Sequence, residues 1–247
     1  MPREKRAQSK TGIYHTVIRG IDKRYIYEED SDKYFFISCI KKAKVIGKFE
    51  IYAYCFMDNH AHLIIKEGNE TIGQTMKRIT VRYVQWYNKK YGLSGHLFQN
   101  RYSSETVETD RYLLAAIRYV HQNPIKAKIA KNLYNYQWSS YQDYINLNSN
   151  IIEICKILDY FAGITQFKKF MTARNQDECL DENIKTISDT DLKKEIGKIY
   201  PYTNFIHRLD KEKRNELIKA IKSSTNASNR RIGRVLGIGR GIVDKIK

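Results

Sequence analysis

His60 and His62 stand two residues apart in the run Met57-Asp58-Asn59-His60-Ala61-His62. On a β-strand, residues i and i+2 project from the same face, so two imidazoles at this spacing can chelate one divalent ion. Neutral imidazole suits several metals, and mixed nitrogen and oxygen ligation leaves room for a phosphate oxygen. The pair is also compatible with half-buried histidines that only hydrogen-bond within the fold. Tyr119 and Asn123 lie four apart in a stretch with helical spacing and so share a helix face. A tyrosine hydroxyl can act as a nucleophile that forms a covalent intermediate, and an Asn amide oxygen is a neutral hard ligand. The chain has 19 tyrosines, however. Amphipathic helices commonly bury theirs, and an Asn before Pro commonly just ends a helix. Spacing alone does not single out Tyr119. His121 points about 200° away from Tyr119 around the helix and reads as a structural or supporting group. His96 reads as a loop residue at the surface or in packing.

The elements that must position these residues are legible as a pattern. Tyr14–Arg19 alternates, is rich in β-formers and ends at Gly20, which predicts a strand. Ser31 or Asp32 can cap a helix with Phe35, Phe36, Ile40 and Val45 on one face and Gly47 at its close. Phe49–Met57 predicts a strong strand. Asp58-Asn59 makes a turn, and His60–Lys66 returns as its hairpin partner. Thr71–Tyr91 carries Ile72, Met76, Ile79, Tyr83 and Trp86 along one helical stripe, broken at Gly92–Gly95. Leu97–Val107 reads as extended. Thr109 or Asp110 then caps a helix through Tyr112, Ala116, Tyr119 and Val120 that ends at Pro124. This order predicts an α+β fold, one antiparallel sheet with helices on one face.

Charge bounds the partner. The 247 residues hold 44 Lys plus Arg against 27 Asp plus Glu, a net charge of +17. An excess of this size predicts a polyanionic partner, nucleic acid ahead of an anionic membrane surface. Residues 1–145 hold 24 basic and 14 acidic side chains, 146–200 hold 8 and 9, and 201–247 hold 12 and 4. Two basic modules, 1–145 and 201–247, are therefore expected to flank a helical connecting segment, 146–200. In the last module, Thr203–Lys222 predicts a helix, Ser228 caps a second over Asn229–Leu236, Gly237-Ile238-Gly239 turns the chain, and Arg240–Ile246 adds a third. Ile232, Val235, Leu236, Ile238, Val243 and Ile246 would point inward, a helix-turn-helix pattern. The four cysteines show no metal-ligand spacing and read as reduced. The basic N-terminus leads into no apolar segment and no stretch approaches a membrane span, so a soluble, intracellular protein without membrane partners is expected.

Two longer runs add a resemblance. IYAYCFMDNHAHLIIK, residues 51–66, resembles the histidine–hydrophobic–histidine motif of single-tyrosine HUH transposases. GHLFQNRYSSETVETDRYLLAAIRYVHQNP, residues 95–124, resembles the nucleophile-bearing segment of REP-associated tyrosine transposases in the IS200-like superfamily. Tyr14–Gly20 and Trp138–Tyr144 resemble flanks of the same domain, so the likeness spans about residues 10–145. It implies a ferredoxin-like (RRM-like) fold with His60, His62 and Asn123 as metal ligands and Tyr119 as nucleophile. Ala61 fills the hydrophobic slot with a smaller residue than is often seen there. The implied activity is metal-dependent nicking and strand transfer on single-stranded or hairpin DNA through a 5′-phosphotyrosine intermediate, with Mg²⁺ or Mn²⁺. Arg19 and Arg101 are the expected nucleic-acid contacts of this domain. Residues 230–246 resemble the helix-turn-helix of replication initiators, with Arg230, Arg231, Arg234, Arg240 and Lys245 toward duplex DNA. The alternative is a catalytically silent DNA-binding regulator on the same fold. An RNA-binding RRM-like protein shares the topology but would want stacking aromatics where the sheet carries the histidine pair. A bacterial cytoplasmic, nucleoid-associated monomer or homodimer is the implied setting.

Overall fold

The structure, a computed structural model, describes residues 7–173, 179, 189–200, 209–225 and 229–246. The chain divides into two compact units, Met1–Leu180 and Asp181–Lys247. The expected connecting segment 146–200 is not one piece. Phe167 and Met171 bury in the core of the first unit, whereas Leu192 and Ile196 bury in that of the second. Apolar residues at helical spacing inside an otherwise polar stretch give each part a core to join, which overall composition concealed.

In the first unit, β1 (Ile13–Arg19), β2 (Glu50–Met57), β3 (His60–Lys66) and β4 (Ser103–Thr106) form one sheet of order β2-β3-β1-β4. All three pairings are antiparallel. With α1 (Asp30–Gly47) and α2 (Ile72–Tyr91) between them, the order is the ferredoxin-like β-α-β-β-α-β arrangement. Thr71 caps α2 through its side chain and Gly92 closes it in the left-handed conformation, where glycine carries no Cβ penalty. The start of α1 comes at Asp30, just ahead of the expected cap. The fully buried Asp32 accepts from the backbone N–H groups of Glu28 and Glu29. It also binds Lys90 Nζ at 2.6 Å and Tyr91 Oη at 2.8 Å, tying the start of α1 to the end of α2. Burial alone would raise the Asp32 pKa. Hydrogen bonds from Lys90, the Glu29 backbone and Tyr91 outweigh it, and the carboxyl is held below its ordinary value. Val45, expected inward, is 69% exposed.

Helices on one face is corrected to helices on both. Phe56 of β2 packs edge-on against Phe36 of α1, and Thr16 of β1 contacts Met76 of α2. Side chains of the opposite face meet α3 (Asp110–Lys126), whose Tyr119 touches His15 and His62. Every residue of β2 after Glu50 is buried. A strand apolar on both faces needs cover on both, and the unbroken run IYAYCFM carried that signal. Two further corrections concern ends. Only Ser103–Thr106 of the expected extended stretch 97–107 is strand, beyond an isolated Phe98–Gly20 bridge. Gln99, Asn100 and Arg101 are not buried and lack an apolar face to lay on the sheet. Helix α3 runs through Pro124 to Lys126. The proline costs the bond that its N–H would give to Val120, but the turn still closes through Ala127 N–H to Asn123 O and Ile129 N–H to Pro124 O, both 2.9 Å.

Beyond α3, α4 (Tyr141–Asn146), α5 (Ile154–Leu158) and α6 (Ile164–Thr172) complete the first unit. The second contains α7 (Asp189–Ile199), α8 (Lys211–Ser224), α9 (Asn229–Leu236) and α10 (Arg240–Asp244). Ile232, Leu236, Val243 and Ile246 are buried, with Val235 and Ile238 partly so. Gly237 turns the chain at φ +68°. Residues 203–208 of the expected helix and the expected cap Ser228 lie outside the described residues. No described helix is long and apolar enough to cross a membrane.

Candidate active site

The antiparallel register sets the site. Arg19 pairs with His60, Val17 with His62 and His15 with Ile64, so Arg19, Val17, His15, His60 and His62 share one face. The His60 and His62 rings stand 5.0 Å apart between centroids. Each has its Nδ1 engaged. His60 Nδ1 lies 2.6 Å from Asn59 Oδ1, and the Asn59 amide nitrogen donates to Lys23 O. His62 Nδ1 lies 3.0 Å from His15 Nε2. In each ring Nε2 is the nitrogen through which an ion can be held.

Tyr119 comes to this place from α3. Its ring meets His62 and His15 edge-on, each at a centroid distance of 5.9 Å. One turn later, Asn123 donates through Nδ2 to Tyr119 O at 3.2 Å, which engages the donor end of its amide and leaves the oxygen for a ligand. Lys126, another turn on, holds its ammonium 4.1 Å over the Tyr119 ring, a cation–π contact. Tyr119 is 2% exposed and Lys126 is exposed.

Electrostatics favours neutral imidazole. His62 is held well below its ordinary pKa, first by burial and then by the charges of His60, His15, Arg19 and Lys126. Burial lowers His15 to about 3. His62 is thus a neutral ring with a partner at Nδ1, the state in which an imidazole can ligate a metal. Among the described residues no group of three His, Cys, Asp or Glu is placed to hold an ion. A set of two imidazoles and an amide would be of another kind, without an anionic ligand, and Arg19 and Lys126 are among the charges acting on His62.

The remaining candidates fall elsewhere. Arg101 is an exposed residue of the loop before β4. Arg234 and Lys245 are exposed on the second unit, while the side chains of Arg230, Arg231 and Arg240 lie outside the described residues. His121 is buried and bonds Ser140 Oγ at 2.9 Å, away from Tyr119, and His96 is exposed. Cys39, Cys55, Cys155 and Cys179 are all free thiols. His15, Asn59 and Lys126 were not singled out from the sequence. A lone histidine in IYHTVIR reads as core, and only strand register carries it to His62. A cavity of about 850 Å³ between α1 and α2, lined by Lys42, Lys77, Arg82 and Lys89, belongs to the helices on the other side of the sheet.

Residues 8–123 match the family described as transposase IS200 like. Among solved structures, a REP-associated tyrosine transposase bound to a REP hairpin superposes with a TM-score of 0.52 at 18% identity, over 73% of this chain and 99% of that one. At that identity the likeness shows the fold. No curated protein matches the chain.

Proposed function

We propose that this chain, whose residues 8–123 match the IS200-like transposase family, is a metal-dependent single-stranded DNA endonuclease and strand transferase. The observation that carries the reading is the approach of the Tyr119 ring to His62, 5.9 Å between centroids, from a separate element and across 57 residues of sequence. His60 and His62 offer Nε2, and Asn123 its amide oxygen, to a divalent ion, Mg²⁺ or Mn²⁺. Bound there, such an ion supplies Lewis-acid polarisation of the scissile phosphate. Tyr119 attacks phosphorus through its phenolic oxygen. The new O–P bond forms as the P–O3′ bond breaks, the phenol loses its proton, and the departing 3′ oxygen gains one. The 5′-phosphate stays on Tyr119, and a 3′-hydroxyl reverses the step without ATP.

Arg19, Arg101 and Lys126 would contact the phosphates of the strand, with aromatic residues contributing stacking. The solved neighbour is bound to a REP hairpin, which supports hairpin DNA as the substrate class. In the second unit, α9, the Gly237 turn and α10 would act as a helix-turn-helix on duplex DNA through Arg230, Arg231, Arg234, Arg240 and Lys245.

The test is incubation with labelled hairpin DNA and Mn²⁺, followed by denaturing electrophoresis. A covalent, SDS-resistant protein–DNA band is expected, lost entirely in Tyr119→Phe while DNA binding persists. A band that survives the substitution moves the nucleophile elsewhere. Binding without a band across varied hairpins makes the protein a silent DNA-binding regulator.

A further inference from the structure

Of the two imidazole partners of Nδ1, the one on His60 leaves no choice of tautomer. The Asn59 amide nitrogen is directed at Lys23 O, so its Oδ1 can only accept, and His60 must carry its proton on Nδ1. Its Nε2 then carries a lone pair. The 3.0 Å bond between His15 and His62 is different, because two neutral imidazoles can share it in either direction. If His15 donates from Nε2, the proton of His62 sits on its own Nε2 and blocks a metal. If His62 donates from Nδ1, its Nε2 is free to bind, and His15 keeps its proton on Nδ1. That Nδ1 atom is buried, with no hydrogen-bond partner among the described residues. In the opposite direction the same atom is a buried acceptor without a partner, so it is unsatisfied either way and the choice of tautomer is left to what His62 Nε2 meets.

We propose that His15 is a positioning residue for the ion: on metal binding it becomes the acceptor for His62 Nδ1–H and thereby holds His62 Nε2 unprotonated toward the metal. The inference rests on His60 and His62 being the ligands. The two arrangements carry the same number of protons: passing to the binding one moves a proton across the 3.0 Å bond to His62 Nδ1, releases one from His62 Nε2 and places one on His15 Nδ1, so metal loading depends on a side chain that never touches the ion. Outer-shell partners of ligating histidines are typically worth about 10–100-fold in affinity.

The experiment measures Mn²⁺ binding to the full chain by calorimetry for wild type, His15→Phe, His15→Gln, His60→Ala and His62→Ala. Alongside it, ring ¹⁵N shifts of His62 are recorded with and without Mg²⁺. His15→Phe, which keeps a ring but offers no acceptor, should weaken Mn²⁺ binding about 10-fold or more. His15→Gln, which restores an amide oxygen, should come back to within a few-fold of wild type. In the wild-type spectrum at saturating Mg²⁺, the His62 proton should be found on Nδ1 alone. If His60→Ala and His62→Ala leave binding unchanged, the ligand reading itself fails. If they abolish binding while His15→Phe does not weaken it, the role of His15 alone is overturned. Should His15→Phe fail to fold, the wild-type spectrum decides: a His62 proton found on Nε2 in saturating Mg²⁺ overturns the proposal.

Discussion

His121 is 1% exposed, bonded through Nε2 to Ser140, and enclosed by the rings of Tyr141, Tyr144 and Phe167. Burial lowers its pKa from 6.5 to about 3. In the unfolded chain the group takes a proton below about 6.5, and in the folded chain only near 3. Its contribution is therefore complete above 6.5 and is lost as pH falls through that window, at about 1.4 kcal/mol per pH unit. Thermal unfolding should show the melting temperature falling between about pH 6.5 and 4, with a shallower slope in His121→Phe. An unchanged slope would remove this histidine from the acid sensitivity. Gly20 is a second position with a local answer. A Cβ there would lie 2.1 Å from Arg24 O, and its N–H bonds Asn59 O at 3.0 Å, beside the group that holds His60. Gly20→Ala should cost about 1–3 kcal/mol by overpacking, measured by denaturant unfolding. At this scale the sequence pointed to His60, His62 and Tyr119, whose rings the fold brings together, and to Asn123 one turn beyond Tyr119. It was silent on His15 and Asn59, whose partners are fixed by register and by the loop at Lys23.

Helix α3 carries Tyr119, Asn123 and Lys126 on successive turns of one face. Asn123 joins two functions: its amide nitrogen bonds Tyr119 O, and its oxygen is the proposed third ligand. Asn123→Ala should leave far-UV circular dichroism unchanged and weaken Mn²⁺ binding several-fold; intact affinity would take it out of the ligand set. The element pattern was readable because the hairpin from Phe49 to Lys66 and the stripe of α2 are strong periodic signals. Less was readable where a rule was overridden. Pro124 was expected to end α3, but a proline in the last turn forfeits one bond while the carbonyls of Asn123 and Pro124 still find donors. The cover on both faces of the sheet lay in the unbroken apolar run of β2, which was read as a strand but not as one buried on two sides.

For the whole molecule, helices on both faces leave the histidine-bearing side of the sheet under α3. That arrangement removes the open aromatic platform an RRM-like RNA binder would need. The net charge of +17 predicts DNA binding that falls steeply with salt. If the second unit reads duplex, a chain ending at Leu180 should bind duplex at least about 10-fold more weakly. Its salt slope should also be shallower by about 0.9 for each phosphate that the second unit neutralises, with nicking of short single strands retained. Unchanged duplex affinity in fluorescence anisotropy would refute that role. The boundary near residue 180 was hidden from composition, because 146–200 is near neutral throughout and divides only by which apolar residues join which core.

The most direct measurement is to digest the covalent adduct with trypsin and nuclease, then locate the residual nucleotide by tandem mass spectrometry. Trypsin frees Tyr119–Lys126, a peptide whose only tyrosine is the proposed nucleophile. The account requires the nucleotide on that peptide, attached through a 5′-phosphate to Tyr119. A nucleotide on any of the other tyrosines, or a 3′-phosphate linkage, would contradict it.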